Sequence, residues 1–459
     1  MVTLAFSSLP LPAPLLASLD SLGYHSMTPI QQQALPLALA GHDLIAQART
    51  GSGKTAAFAL SVLAQLNPRY LGCQALVLCP TRELAEQVAR EFRQLARAIG
   101  NIKVLTLCGG VPLGPQIGSL EHGAHIVVGT PGRIQEHLRK DTLRLKGLSQ
   151  LVLDEADRML EMGFIEPIRE IIEQTPERRQ TLLFSATYPA SIEQLAERFL
   201  RTPQRIIVES LHGDSEIRQR FYRVDPLSRH AAVARLLLHY RPTSSIVFCQ
   251  TRQQCQELAD WLNLRKISSV ALHGDLEQRE RDQVLTLFAN RSCSVLIATD
   301  VAARGLDIDN LEVVINLELA RDPQVHIHRI GRTGRAGATG QAFSLVAPNE
   351  MARATAIEAL QERELTWANL DSLSDTADQR LLPPMTSICI SVGRKDKMRP
   401  GDILGALTGT DGLPSEVIGK ISLFDHCAYV AIQREHARTA LSRLTERKVK
   451  GRSVRGRIL

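Results

Sequence analysis

The sequence predicts an α/β protein with two tandem, doubly wound parallel sheets and a smaller α+β domain behind them. Residues 75–82 have a sequence pattern similar to that of residues 245–252, and residues 126–130 are similar to residues 295–299. The two similar pairs are separated along the chain by nearly the same number of residues. Each segment has the pattern of a buried strand that ends in a threonine-bearing loop at the carboxyl edge of a sheet, where open α/β sheets bind ligands. After residue 384 the pattern becomes strand, helix, strand, strand, helix and strand.

The length of 459 residues is enough for about three domains, each with its own core. The predicted divisions are a first domain at 1–208, a linker at 209–217, a second domain at 218–365, a linker at 366–384 and a third domain at 385–459.

Composition excludes several classes of protein. The eight cysteines include no Cys-x-x-Cys pair, which argues against a zinc site or a disulfide framework. No apolar run approaches about 18 residues, and the N-terminus lacks a basic region followed by an apolar core. We therefore expect neither a membrane span nor secretion, and we expect a cytoplasmic protein.

A glycine-rich segment in the first domain predicts a phosphate-binding loop. Glycines let the backbone wrap around phosphates, with amides and a helix N-terminus facing the negative charge. Lys54 can reach the β- and γ-phosphates, and the Thr55 hydroxyl can ligate Mg²⁺. The usual pattern opens with glycine where this chain has Ala48. The assigned residues are Ala48, Arg49, Thr50, Gly51, Ser52, Gly53, Lys54 and Thr55.

An acidic segment about a hundred residues later completes the prediction of an ATP site. The apolar run 151–153 leads directly into Asp154 and Glu155. A buried parallel strand of this kind would deliver Asp154 to a Mg²⁺ ion, with Glu155 beside it to orient or deprotonate water. Alone, the segment would read as a solvated acidic turn. Together with the phosphate loop, it predicts a site for ATP and Mg²⁺.

The second domain lacks both segments and instead carries an arginine-rich loop at 328–335. A bidentate guanidinium suits a γ-phosphate. If the two domains close on one ATP, Arg332 and Arg335 would stabilise charge on the transferring phosphoryl group. His328 opens the same loop, and we group it with the catalytic candidates.

The positive charge of the chain is concentrated in the third domain. Residues 381–459 hold 14 Lys and Arg against 7 Asp and Glu, which leaves 40 against 41 for the rest. A small basic module on a neutral body favours a polyanionic partner, most often nucleic acid, although a basic face can also serve solubility alone.

About a dozen motifs over residues 1–365 resemble, in order, those of DEAD-box RNA helicases of superfamily 2, whose two core domains are RecA-like. The resemblance implies RNA-stimulated ATP hydrolysis coupled to unwinding of short duplexes. It implies that Gln31 and Tyr24 belong to the adenine-reading Q motif, with Phe6 stacking on the base. Met27 departs from the usual proline. Gly305 and Asp307 match the segment that reaches the ribose and phosphates.

The same resemblance implies roles for further residues. Ser185, Ala186 and Thr187 match the motif that couples hydrolysis to unwinding. Small residues, hydroxyls and arginines suit contacts to phosphates and 2′-hydroxyls, which carry no base sequence. The implied RNA contacts in the two core domains are Pro80, Thr81, Arg82, Gly109, Gly110, Thr130, Pro131, Gly132, Arg133, Gly274, Arg281, Thr299 and Asp300.

The element order of the third domain is that of an RNA recognition motif. Only Tyr429 occupies a stacking position on its sheet, so a basic loop or helix surface is the better candidate for RNA contact. The tail resembles that of bacterial DEAD-box proteins of the DEAD-box protein A type, which implies binding of a 23S ribosomal RNA hairpin and a role in large-subunit assembly. The residues expected to make specific contacts with this RNA are Arg394, Lys395, Lys397, Arg399 and Lys420.

We expect the protein to be a monomer.

Two other interpretations remain open. One is a duplex-DNA helicase or translocase of the same superfamily, against which the Q motif, the Ser-Ala-Thr form and the RNA-type tail argue. The other is an ATP-gated RNA clamp that barely turns over. Glu155, Arg332 and Arg335 argue against a clamp, because a clamp needs no complete hydrolytic set.

Overall fold

The computed structural model describes residues 4–48, 51–188, 190–208, 217–303, 311–334, 339–373, 379–409 and 412–459. The chain forms two compact units, drawn mainly from residues 1–213 and from residues 214–459. We call the α/β part of the first unit lobe 1 and that of the second unit lobe 2.

Lobe 1 is a seven-stranded parallel sheet with helices on both faces. Its strands are β1 (Leu44–Gln47), β2 (Ala75–Leu78), β3 (Val104–Leu107), β4 (Ile126–Gly129), β5 (Gln150–Leu153), β6 (Gln180–Ser185) and β7 (Gln204–Ile207). Its helices are α1 (Ala13–Ser21), α2 (Pro29–Leu39), α3 (Lys54–Gln65), α4 (Arg82–Leu95), α5 (Leu113–Glu121), α6 (Pro131–Arg139), α7 (Ala156–Glu161), α8 (Ile165–Glu173) and α9 (Ala190–Phe199). The central strands are apolar runs because both faces of the sheet are covered.

Lobe 2 is a second seven-stranded parallel sheet. Its strands are β8 (Ile217–Arg223), β9 (Ser245–Cys249), β10 (Ser269–Leu272), β11 (Val295–Thr299), β12 (Val313–Asn316), β13 (Gly340–Val346) and β14 (Trp367–Ala368). Its helices are α10 (Arg229–Tyr240), α11 (Arg252–Leu264), α12 (Gln278–Ala289), α13 (Asp300–Ala303), α14 (Pro323–Ile330) and α15 (Met351–Gln361).

The two lobes share one topology. The strand order is β3-β4-β2-β5-β6-β1-β7 in lobe 1 and β10-β11-β9-β12-β13-β8-β14 in lobe 2, which is the same order strand for strand. The Thr81 hydroxyl accepts from the backbone of Leu84 at the start of α4, and the Thr251 hydroxyl accepts from Gln254 at the start of α11. The sequence repeat therefore reflects two related doubly wound sheets, as predicted.

The C-terminal domain is a four-stranded antiparallel sheet backed by two helices. The strands run in the order β16-β17-β15-β18, which is the arrangement expected from its βαββαβ sequence. Residues of β15 and β17 form its core with both helices, including Ile388, Ile390 and Val430. The elements are β15 (Met385–Ile390), α16 (Pro400–Thr408), β16 (Ile418–Leu423), β17 (Ala428–Gln433), α17 (Ala437–Glu446) and β18 (Gly456–Ile458).

The described part of the predicted linker at 366–384 packs on lobe 2. Strand β14 pairs with β8, and Leu381 is 5% exposed within the lobe 2 core. The backbone of Leu381 also pairs with Ile267 beside β10. Leu373 is a second linker residue in that core, so the linker is held on the lobe at two points.

The outer face of the C-terminal sheet lies against lobe 2. The Ser387 hydroxyl is fully buried and lies 2.9 Å from the Ser292 hydroxyl and 3.2 Å from the Asn290 amide nitrogen. Tyr429 is only 3% exposed and packs edge-on to Phe424. The face on which an RNA recognition motif stacks bases is therefore covered here, which agrees with the expectation that RNA binds elsewhere on the domain.

Among the described residues, no helix is long and apolar enough to cross a membrane.

The contact between the C-terminal sheet and lobe 2 predicts an engineered disulfide. Two hydroxyl oxygens 2.9 Å apart mark positions from which two cysteine sulfurs can approach each other and form a bond. The S292C/S387C protein should therefore cross-link on mild oxidation, as measured by peptide mapping and reversal with a reductant. The S387C single variant is the control for pairing with native cysteines. Failure of the double variant to cross-link would contradict this contact.

Candidate active site and RNA-binding surfaces

The phosphate loop lies between β1 and α3. Gly51 and Gly53 have φ angles of +80° and +92°, which are left-handed values suited to glycine. Gly53 caps α3, so the amides that begin the helix face the loop. The Lys54 ammonium is 6% exposed and donates to the Ala48 carbonyl at 2.8 Å. The Ser52 hydroxyl is buried without a hydrogen-bond partner. Arg49 and Thr50 lie outside the described residues.

Gln31 ties the predicted adenine-reading segment to the phosphate loop. Its side-chain nitrogen donates to the Gly53 carbonyl at 3.1 Å, and its oxygen accepts from the Thr28 amide at 2.9 Å. A Cβ on Gly53 would lie 2.6 Å from that nitrogen, so this close approach requires glycine. A ligand that engages Gln31 would therefore act directly on the conformation of the phosphate loop.

The two aromatic residues of this segment have different environments. Phe6 is 4% exposed and belongs to the apolar core of lobe 1. The stacking of Phe6 on adenine therefore stays a prediction; in this structure the ring, which lies on the short helix Phe6–Ser8, packs into that core. Tyr24 is 36% exposed, and its hydroxyl donates to Glu91 at 3.0 Å. Burial and the neighbouring Glu91 raise the pKa of Tyr24 to about 12.

Strand β5 delivers Asp154 to the carboxyl edge of the sheet, as the apolar run predicted. The carboxyl group is 2% exposed. Burial raises the pKa of Asp154 to about 7, although Lys54 acts in the opposite direction and Glu155 adds to the rise. A hard cation would offset this burial cost, and buried carboxylate and hydroxyl oxygens are ligands that Mg²⁺ prefers. Asp154 and Thr55 therefore fit a Mg²⁺ site completed by phosphate oxygens and water.

Glu155 follows at a backbone position that few side chains adopt. Its φ of +52° is left-handed, and it caps the short helix α7. The side chain is 5% exposed, and the Arg158 Nε lies 3.4 Å from its Oε2. That oxygen is buried without a hydrogen-bond partner. A buried carboxylate oxygen beside Asp154 that accepts no hydrogen bond is the kind of group that can orient or deprotonate water.

Asp157 joins this acidic turn to the end of β6. Its Oδ2 accepts from the Thr187 amide and hydroxyl, both at 2.8 Å, and from the Ala186 amide at 3.2 Å. Its own amide donates to the Ser185 hydroxyl at 3.3 Å. Burial alone would raise the pKa of Asp157, but the hydrogen bonds from Thr187 hold it below its ordinary value. The Ser-Ala-Thr segment is therefore in direct contact with the acidic turn.

The arginine-rich segment predicted as a loop at 328–335 begins on α14, which contains His328 and Arg329. The sequence did not predict the role of Arg329. Arg329 is 2% exposed and binds both carboxylate oxygens of Asp300 at 2.7 Å, with further bonds to Asn316 and the Glu318 carbonyl. Arg332 is also buried, at 5% exposed, and His328 is half-buried. The spacing of the arginines in the sequence could not show that Arg329 has a different role from the other arginines of the segment. Gly305, Asp307 and Arg335 lie outside the described residues.

Most predicted RNA contacts of lobe 1 lie at the carboxyl edge of its sheet. Gly109, Gly110 and Gly132 are exposed, with open space where side chains would be for Gly109 and Gly132. Thr130 is half-buried, and its hydroxyl does not cap α6. A strand of RNA could approach the backbone closely here. Of the remaining predicted contacts, Pro80 and Pro131 are buried, Thr81 caps α4, Arg82 pairs with Glu86, and Arg133 is held internally.

Most of the predicted RNA contacts of lobe 2 make hydrogen bonds or ion pairs within the lobe. Asp300 is paired with Arg329, and the Thr299 hydroxyl accepts from the Ala302 amide. Arg281 donates to the Ala302 carbonyl at 2.8 Å. Gly274 is exposed. Of this set, Gly274 offers the most open approach to a ligand.

Basic residues of the C-terminal domain gather around a turn before α16. Arg394, Lys395, Lys397 and Arg399 are all exposed. Arg452 pairs with Asp396 at 2.7 Å, and Lys450 pairs with Asp402 at 3.0 Å, so a second basic loop is anchored to the same turn. The Lys395 ammonium lies 3.2 Å from a His426 ring nitrogen. Lys420 is exposed on β16. We call the segment 394–399 with 450–452 the basic turn.

Family models match three parts of the chain. A DEAD/DEAH box helicase model matches residues 28–195, a helicase conserved C-terminal domain model matches 228–337, and a DbpA RNA binding domain model matches 387–458.

Similar proteins agree with these matches. The chain is 51% identical over 456 residues to the ATP-dependent RNA helicase DbpA of Escherichia coli strain K12, covering 99% of both. It is 42% identical to the DEAD-box ATP-dependent RNA helicase CshA of Bacillus subtilis strain 168, covering 79% of this chain and 74% of that protein. The solved structure of S. cerevisiae Dbp5 bound to RNA and ADP BeF3 matches with a TM-score of 0.72 and 30% identity, covering 80% of this chain and 96% of that one.

The Glu155 oxygen that accepts no hydrogen bond predicts the behaviour of a neutral variant. Glu155→Gln should bind ATP and RNA but lower turnover by about 10²–10⁴-fold, because the amide cannot accept a proton from water. Steady-state phosphate release and nucleotide binding measure the two effects. Glu161→Gln, on the same short helix, is the control. Turnover close to wild type in Glu155→Gln would remove the assignment of Glu155 as the base.

The contact between Asp157 and Thr187 predicts separation of hydrolysis from strand separation. Thr187→Val removes the hydroxyl bond to Asp157, so RNA-stimulated hydrolysis should persist while unwinding of a short duplex falls roughly tenfold. Thr181→Val is a matched control, because Thr181 lies on β6, the strand that ends just before Thr187, and its buried hydroxyl has no hydrogen-bond partner. Equal losses of both activities in Thr187→Val would contradict a coupling role.

Proposed function

The chain belongs to the DEAD-box family of ATP-dependent RNA helicases, and we propose that its C-terminal domain directs it to a hairpin of 23S ribosomal RNA during assembly of the large ribosomal subunit. In this proposal it acts as a monomer in the cytoplasm. The observation that carries the proposal is the exposed basic turn, on a domain whose stacking face is covered by lobe 2.

We assign the chemistry of the ATP site to residues of lobe 1 and to the arginine-rich segment of lobe 2. Lys54 binds the β- and γ-phosphates, and Thr55 and Asp154 hold Mg²⁺, partly through water. When bound, the cation neutralises phosphate charge and orients the transferring group. Glu155 accepts the proton of the attacking water. Arg332 and Arg335 are proposed to stabilise the developing charge, with His328 in the same loop.

Communication between ATP and RNA runs, in this proposal, through the turn that contains Asp157. A change at the γ-phosphate moves Asp154 and Glu155, and Asp157 passes that movement to Ser185, Ala186 and Thr187 through its hydrogen bonds. ATP and RNA then bind with positive coupling, because each stabilises the same arrangement of the turn.

The core lobes and the tail have separate roles in RNA recognition. Exposed glycines at the carboxyl edge of lobe 1 suit contact with phosphates and 2′-hydroxyls, which gives affinity without sequence preference. Selection of the hairpin is assigned to the basic turn, since guanidinium groups can read base edges or phosphates of a folded RNA. The remaining basic tail, from Arg447 to Arg457, adds affinity that weakens with salt.

The test compares ATPase stimulation by three nucleic acids: a 23S fragment that contains the peptidyl-transferase hairpin, a scrambled RNA of equal length, and DNA of the same sequence. The hairpin fragment should reach half-maximal stimulation at the lowest concentration. Equal stimulation by both RNAs would leave the helicase but remove the 23S target, and equal stimulation by DNA would favour the translocase interpretation.

A charge reversal in the basic turn should remove the hairpin preference specifically. Arg399→Glu should raise the hairpin concentration for half-maximal stimulation roughly tenfold, because a direct contact becomes a repulsion. Arg438→Glu makes the same charge change at an exposed site on α17, and it should have a smaller effect shared by all RNAs. Equal effects of the two variants would mean that the basic turn does not select the hairpin.

Truncation offers a second test, and the fold determines where to cut. Because Leu381 is buried in the core of lobe 2, removal should begin at residue 385 rather than at 381. The shortened protein should retain hydrolysis stimulated by high concentrations of any RNA and should lose the preference for the hairpin. Preference that survives truncation would place the RNA-selecting surface in the lobes.

A further inference from the structure

Gln116 on α5 was not singled out from the sequence, yet its amide joins two of the proposed RNA-binding loops. Its side chain is 7% exposed. The amide nitrogen donates to the Cys108 carbonyl at 3.0 Å, directly before Gly109. The amide oxygen accepts from Arg133 at 2.9 Å, directly after Gly132. The two ends of one amide therefore reach the two glycine-containing loops.

Arg133 extends this connection to the other side of the first loop. While one guanidinium nitrogen donates to Gln116, another donates to the Val111 carbonyl at 3.1 Å. The carbonyls of Cys108 and Val111 flank Gly109 and Gly110, so the loop is held at both ends. Gly110 has a left-handed φ of +76°, which leaves the glycine pair dependent on its flanks for a defined shape.

The partners of the Gln116 amide also fix the tautomer of His137. The ring is fully buried, with Nε2 lying 2.9 Å from the Gln116 oxygen and Nδ1 lying 2.8 Å from the Thr142 hydroxyl. Since a guanidinium only donates and a carbonyl only accepts, the Gln116 oxygen must face Arg133 and the nitrogen must face Cys108. His137 therefore carries a proton on Nε2, the nitrogen that donates to Gln116.

We propose that Gln116 is a positioning residue for RNA binding, which sets the spacing between the Gly109–Gly110 loop and the Thr130–Gly132 turn. Correct spacing lets both loops contact one RNA strand at the same time. Gln116 itself is buried beneath the loops and does not touch the RNA. The inference rests on the proposed RNA contacts of these loops and is independent of the 23S target.

A buried glutamine elsewhere in lobe 1 provides a matched control. Gln180 is also 7% exposed, donates to the Ala38 and His42 carbonyls at 2.8 Å, and accepts from Gln150 at 3.0 Å. It lies at the start of β6, at the amino edge of the sheet. Replacing either glutamine with leucine removes a similar set of buried hydrogen bonds, but only Gln116→Leu separates the two loops.

The experiment measures RNA-stimulated ATPase of the full chain with an unstructured single-stranded RNA. Gln116→Leu should raise the RNA concentration for half-maximal stimulation roughly tenfold, with little change in the maximal rate or in the KM for ATP. Gln180→Leu should lower the melting temperature comparably and leave the RNA concentration unchanged. Gln116→Glu keeps the acceptor for Arg133 and His137 but loses the donor to Cys108, so its effect should be intermediate.

Three outcomes would overturn the inference: an unchanged RNA concentration in Gln116→Leu, an equal increase in Gln180→Leu, or a parallel loss of maximal rate without a change in half-saturation. If Gln116→Leu does not fold, the same criteria apply to Gln116→Glu. The Thr130→Ala variant tests the proposed RNA contact itself, separately from the positioning role of Gln116. If Thr130→Ala weakens RNA stimulation and the Gln116 variants do not, only the positioning role fails. If neither has an effect, the proposed RNA contacts fail as well.

Discussion

The proposed coupling of ATP to RNA depends most on the buried carboxylate of Asp157, which accepts three hydrogen bonds from Ala186 and Thr187. Strands β5 and β6 are neighbours in the parallel sheet, so the acidic turn after one lies beside the Ser-Ala-Thr segment after the other. Removing the partners of a buried charge typically costs about 3–5 kcal/mol. We therefore expect the two segments to move together, so that a change at the nucleotide reaches the end of β6.

Three carboxylates buried close together determine the charge properties of the site. Asp154, Glu155 and Asp157 are all nearly buried, and the only cation among the predicted catalytic residues of lobe 1 that the structure describes is Lys54. Burial raises the pKa of Asp154 to about 7, and one oxygen of Glu155 accepts no hydrogen bond. Such an arrangement is costly without a ligand and becomes favourable when a cation and phosphates bind.

Local patterns predicted the fold well, and they predicted the site less completely. Apolar runs such as Leu151–Leu153 identify buried parallel strands because both faces of the sheet are covered. The partners of a side chain depend on distant elements, so the sequence could not show that Arg329 binds Asp300 or that Phe6 turns into the core. The connections of Gln116 and the burial of Ser387 against lobe 2 are likewise set by tertiary packing.

The most direct test of the central claim measures binding coupling without turnover, in the Glu155→Gln background. The dissociation constant of ATP is determined with and without RNA, and that of RNA with and without ATP. Linkage requires one common factor for both ligands, and we expect about tenfold. Adding Thr187→Val should reduce that factor towards one. Equal affinities in the presence and absence of the other ligand, or full coupling without the Thr187 hydroxyl, would contradict transmission through Asp157.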